Sequence, residues 1–162
     1  MKTFISLGNS DFKFDRLINS IMDQLEHLPK PILYQYGYSR KINKNIKNFK
    51  QINFLSLNDY YTILKGTKFF ISHLGAGSLI NSNKFKINTI FLSRRKKYNE
   101  HIDDHQFELY DYLKKYKSYK NIFADENEFA SNIINISKQN KPLNINSKEA
   151  EFNNLIEDIL KN

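Results

Sequence analysis

Short apolar, β-prone runs alternate with segments of helical periodicity along this chain, and that alternation restricts the possible folds more than any other feature. Thr3–Leu7 is apolar and stops at Gly8-Asn9-Ser10, which reads as a strand ending in a turn. Phe14, Leu17, Ile18, Ile21, Leu25 and Leu28 then recur at helical spacing, one apolar stripe running to Pro29. Further strands are predicted at PILYQYG (31–37), QINFLSL (51–57), KFFIS (68–72), NTIFLS (88–93) and YKNIF (119–123). The helices between them are NDYYTILKG (58–66), with Asn58 as its cap and Gly66 as its stop, one from about Ser78 to Phe85, and one from about Asp103 to Tyr116. DENEFASNIINISK (125–138) and an amphipathic helix within 145–162 follow, separated by Pro142. SRKINKNIKNFK (39–50) carries few apolar residues and reads as a loop, as does the polar, basic segment 93–102.

Strands that alternate with helices imply right-handed βαβ units, a parallel sheet and a Rossmann-like three-layer α/β domain. The 162 residues fit one domain, 1–162, and 139–147 is the only plausible hinge. The final helix, with Phe152, Leu155, Ile156, Ile159 and Leu160 on one side, closes the core or faces a partner. The absence of cysteine excludes disulfides and thiolate metal sites, and fits a reducing cytosol. Neither a signal peptide nor a run approaching the ~20 apolar residues of a membrane span is present, so a soluble, cytoplasmic chain is expected. The net charge of +8 admits an acidic partner. Interleaved Tyr and Lys at 112–120 raise nucleic acid, but no stacking motif accompanies them and a solvated helix end explains them, so none is expected.

Ligands of an open parallel sheet bind at the carboxyl ends of the strands, and there the chemistry gathers. FFISHLGAGSLINSNKF (69–85) puts His73, Gly75, Ala76, Gly77 and Ser78 where a strand turns into a helix. A tight turn could require the glycines for positive φ. Alternatively, unshielded amides and the helix dipole there bind an anion, with Ser78 and His73 able to reach a phosphate oxygen. KKYNEHIDDHQFELYDYL (96–113) holds His101, Asp103, Asp104, His105 and Gln106 within six residues. Its two histidines are four apart, the spacing of a zinc helix, but HIDDH lacks the glutamate of HExxH. An aspartate cap with solvated neighbours is one reading, and a grip on vicinal sugar hydroxyls is another. The dinucleotide signature G-x-G-x-x-G is absent after the first strand, which reads LGNSDFKF, so a nicotinamide oxidoreductase is disfavoured.

FDRLI (14–18), YQYGYS (34–39), ISHLGAGS (71–78) and KYNEHIDDHQFEL (97–109), in that order, resemble the glycosyltransferase family 28 C-terminal domain. The branch they resemble is that of the PssE/EpsE-like subunits of polysaccharide-assembly transferases. That resemblance implies the donor half of a GT-B fold, metal-independent and without a cofactor. It also implies action with a membrane-anchored partner that binds the acceptor, and transfer of galactose or GlcNAc from a UDP-sugar to a lipid-linked saccharide. It further implies that Gly8 and Ser10 line the first phosphate loop and that His73, Gly75, Ala76, Gly77 and Ser78 hold the diphosphate. Asp104, His105 and Gln106 meet the transferred sugar; His105 is the candidate catalytic side chain here, with the base expected on the partner. Asn81 stands where the family carries a ribose-binding glutamate, Lys86-Ile87-Asn88 replaces Gly-Lys-Pro, and Ser93 replaces proline. Those departures leave an alternative, a non-catalytic enhancer of the partner whose donor pocket has decayed.

Overall fold

The computed structural model describes residues 1–115 and 119–139. Among the described residues six parallel strands form one sheet in the order β3-β2-β1-β4-β5-β6: β1 Thr3–Ser6, β2 Ile32–Gln35, β3 Phe49–Ile52, β4 Phe69–His73, β5 Asn88–Leu92 and β6 Ile122–Phe123. Five α-helices, again among the described residues, cover it: α1 Asp15–Ser20, α2 Leu57–Lys65, α3 Ala76–Lys84, α4 His105–Lys114 and α5 Glu126–Lys138. This is the three-layer Rossmann-like arrangement expected from the alternation.

Burial on both faces explains why the central strands read as continuous apolar runs rather than alternating ones. Ile5, Ile71, Ile90 and Leu92 point to one side and pack against Leu17 and Ile18 of α1 and Phe129 and Ile133 of α5. Phe4, Phe70 and Phe91 point to the other and meet Leu64 of α2, Leu79 of α3 and Leu109 and Leu113 of α4. Each such aromatic contributes about 1.5–3 kcal/mol by leaving water. The strand order reverses between β1 and β4, which pair from Thr3↔Phe69 to Ser6↔Ser72. β1 therefore leaves the sheet toward one side and β4 toward the other, opening a crevice at their carboxyl ends.

Several element boundaries differ from the sequence expectation. The stripe from Phe14 to Leu28 is not one helix: α1 ends at Ser20, and Met22–His27 continues as a 3₁₀ turn. The Ser20 hydroxyl donates to Leu17 O at 2.7 Å, a local bond that competes with the helical ladder. Leu25 and Leu28 stay buried because their i, i+3 spacing serves a 3₁₀ turn as well. The third strand is Phe49–Ile52 rather than 51–57, and Phe54 and Leu57 are exposed. Asn58 is not the cap of α2; Ser56 is, accepting from Asp59 N. The segment 39–50 is less solvated than its charge suggests. Ile42 and Ile46 reach the core, and the Gln51 side chain bonds both the N–H and the carbonyl of Ile42. Helix α4 begins at His105, not Asp103, and the sixth strand is only Ile122–Phe123. The expected helix within 145–162 and most of the hinge at 139–147 lie outside the described residues. Among the described residues no helix is long and apolar enough to cross a membrane.

Candidate functional site

A pocket of about 340 Å³ opens at the crevice between β1 and β4. Ser6, Gly8 and Asn9 line it from the end of β1, Gln35 from β2, and His73, Gly75, Gly77, Ser78 and Asn81 from β4 and α3. Leu55, Leu57, Tyr60 and Tyr61 close the far side. Of the residues singled out in the sequence, Gly8, His73, Gly75, Gly77, Ser78 and Asn81 thus share one cavity. Ser10, Ala76, Asp104, His105 and Gln106 are not among its lining residues.

The floor is rigid. Ser6 Oγ donates to Gln35 Oε1 at 2.7 Å, and Gln35 Nε2 donates to Asn9 Oδ1 at 2.6 Å, tying β1, β2 and the first loop together. Gly8 adopts φ +80°, and a Cβ there would sit 2.8 Å from His73 Cε1. A Cβ on Gly75 would sit 2.6 Å from His73 Nε2. The imidazole therefore lies wedged between two glycines that only a missing side chain accommodates.

His73 is held neutral. Burial pushes it down to about 3, with the positive charge of Arg94 adding to the effect. Its tautomer follows from its neighbour: the Ser72 hydroxyl donates to Ser6 O at 2.8 Å, so toward His73 Nδ1, 3.3 Å away, it can only accept. Nδ1 then carries the proton and Nε2 presents a lone pair. An anion against Nε2 must bring a proton with it, whereas a ligand hydroxyl can donate to Nε2 directly.

Helix α3 starts at Ala76 with Gly75 in the cap position, and no side chain caps it. By contrast, Ser56 caps α2 and Asp125 caps α5 through Asn127 N and Glu128 N. The first amides of α3 are orphan donors facing the pocket, at the positive end of the helix dipole. A Cβ on Gly77 would meet nothing within 4 Å. No turn or packing contact requires glycine there; the space over the helix end is open. Tyr60 supplies an apolar wall with a polar tip, its phenol raised by burial and eased by a hydrogen bond with Ser78. Such a pocket offers amide donors to an anion at one end and aromatic surface to a flat group at the other.

The second cluster stands on the loop after β5, the strand next to β4. Gln106 Oε1 accepts from Arg94 N at 3.1 Å, and Asp104 Oδ1 accepts from Lys96 N at 2.9 Å. Asp103 sits between the histidines, with Oδ1 2.7 Å from His101 Nδ1 and Oδ2 3.0 Å from His105 Nδ1. Backbone and side-chain bonds within the loop thus employ much of this acidic chemistry. Among the described residues no cluster of His, Cys, Asp or Glu is arranged to hold a metal ion.

Beneath both clusters lies a charged network that the sequence did not reveal. Arg94 is 2% exposed and Glu100 4%. Arg16 Nε and Nη2 grip the two oxygens of Glu100 at 2.8 Å each, and Arg16 Nη1 reaches Glu126 at 3.2 Å. Arg94 donates to the carbonyls of Leu7, Phe12 and Glu100, joining the loop after β1 to the loop after β5. In the sequence these arginines are indistinguishable from surface charge; only the folded contacts mark them. Gln35, Tyr60 and Tyr61 were likewise missed as pocket residues, because nothing in their local pattern points inward.

Residues 4–162 match the family described as Glycosyltransferase family 28 C-terminal domain. Comparison with curated protein sequences finds no match. Among solved structures, the chain is similar to the glycotransferase of kitacinnamycin (TM-score 0.59, 13% identity, covering 99% of this chain and 39% of that one). It is similar to MurG of Acinetobacter baumannii (TM-score 0.58, 14% identity, 99% and 50%). It is also similar to the glycosyltransferase VinC, solved in complex with dTDP (TM-score 0.53, 10% identity, 99% and 36%). At these identities the likeness is one of fold, and the chain spans half or less of each of those proteins.

Proposed function

Because the chain belongs to the glycosyltransferase family 28 C-terminal domain family, we propose that it is the donor-binding half of an inverting, UDP-sugar-dependent hexosyltransferase. The observation that carries this reading is the uncapped start of α3 at the strand-order reversal, with open space over Gly77. A diphosphate seated there takes the orphan amides as donors, and the leaving UDP is stabilised by amides and dipole. The base rests against Leu55, Leu57 and Tyr60, and Asn81 pairs with ribose hydroxyls. Gly8 and Ser10 form the first phosphate loop, while Asp104, His105 and Gln106 receive the sugar from the loop after β5. His73 Nε2 can accept from a ligand hydroxyl, but a group lowered to about 3 is a weak base, so the base for the acceptor hydroxyl is assigned to the partner.

The resemblance of ISHLGAGS (71–78) and KYNEHIDDHQFEL (97–109) to PssE/EpsE-like subunits favours their division of labour. A membrane-anchored subunit then binds the lipid-linked saccharide and recruits this chain to the inner membrane face. The pathway is capsule, exopolysaccharide or glycan assembly, and the sugar is galactose or GlcNAc. The net charge of +8 favours such an anionic surface. The test is calorimetric titration of the purified chain with UDP, followed by transfer assays with and without the partner. Binding without transfer is expected from the chain alone; full transfer by the isolated chain refutes the half-enzyme. Asn81 in place of a ribose-binding carboxylate favours one alternative, the non-catalytic enhancer. It prevails if UDP gives no heat while partner activity still rises.

A further inference from the structure

We infer that Arg94 is a buried counter-charge for the donor's diphosphate, acting from beneath the pocket without touching the ligand. This rests on the donor-binding reading above. The guanidinium is almost fully buried, and its partners are three neutral carbonyls: Leu7 O and Glu100 O at 2.6 Å and Phe12 O at 3.0 Å. Its Nε has no partner, and the Phe14 ring lies 4.7 Å away. The Glu100 charge supports Arg94 from a distance, but its oxygens are taken by Arg16 and by the backbone N–H of Arg95. Among the described residues no ion pair reaches Arg94. A buried cation without a contacting counter-ion is costly, and a neutral donor could tie the same carbonyls. Carbonyl bonding and the Glu100 charge together leave burial dominant, so the cation is incompletely compensated.

Its position supplies the reason. Leu7 O, which Arg94 holds, precedes Gly8, and Gly8 packs on His73 at the pocket. Arg94 is close enough for its charge to act on the His73 ring. A diphosphate in the pocket would add negative charge to the share that Glu100 supplies, across protein rather than water, where the attraction is poorly screened.

The experiment compares UDP with uridine, which shares the base and ribose but carries no charge. Arg94→Gln retains amide donors for the carbonyls and removes the charge; Arg94→Lys retains the charge and loses the fork. The expected result is that Arg94→Gln lowers UDP affinity about tenfold more than uridine affinity, whereas Arg94→Lys keeps the UDP-to-uridine ratio within about threefold of wild type. Equal losses for both ligands in Arg94→Gln, or collapse of the ratio in Arg94→Lys, would overturn the proposal and leave Arg94 a clamp. Should Arg94→Gln not fold, the ratio in Arg94→Lys decides alone. Failure of the wild-type chain to bind UDP would overturn the donor reading and this inference together, an outcome distinct from wild-type binding that is indifferent to Arg94.

Discussion

Replacing Gly77 by alanine separates a glycine kept for a ligand from one kept for the fold. Gly77 is exposed, occupies the second position of α3, and has nothing within 4 Å of the site a methyl would take. In a helix alanine is favoured over glycine by up to about 1 kcal/mol, and roughly half of that applies so close to the helix end. For a domain of this size a gain of about 0.5 kcal/mol raises Tm by about 1–2 °C. A phosphate oxygen bonded to the amides of α3, however, sits about 2.9 Å from the nitrogen, where the new methyl intrudes. UDP affinity should then fall at least about tenfold, a loss of about 1.4 kcal/mol. Thermal denaturation without ligand and calorimetry with UDP read the two effects independently. A Gly77→Ala protein that is more stable and binds UDP as tightly as wild type refutes the seating of the diphosphate on these amides. One that is destabilised shows instead that the backbone needed glycine.

His73 makes the fold sensitive to acid. Its folded value of about 3 lies below the ordinary 6.5, so between those limits the unfolded chain binds more protons and stability falls as pH falls. For this half-buried ring the loss from pH 7 to 4 is about 2 kcal/mol, and urea titrations should show His73→Asn losing that much less than wild type. Glu100→Ala leaves Arg16 buried without its bidentate partner, and unfolding free energy in urea should drop by about 3–5 kcal/mol; a drop under 1 would mean the pair is solvent-relaxed. Ser56→Ala should cost about 1 kcal/mol through loss of the α2 cap, and Asn58→Ala almost nothing; the reverse order would contradict the observed cap.

The layered α/β fold was legible because its cause is local. An apolar run buried on both faces, then an apolar stripe at helical spacing, has few packing solutions other than βαβ. The glycine loop was legible for the same reason, since His73 and the glycines after it are adjacent in sequence and sit together at one strand end. What stayed illegible depended on partners distant in the chain. Strand three begins two residues earlier, at Phe49, which pairs with Ile32, and ends five residues earlier, at Ile52, while Leu57 came to rest at the pocket rim. Arg16, Arg94 and Glu100 read as solvated charge, yet they bind one another and carbonyls across separations of up to 87 residues. Local sequence thus determined which segments become strands and helices and where the glycine loop stands. Tertiary structure alone decided which charges leave water, because burial is set by what packs above a side chain and not by its neighbours along the backbone.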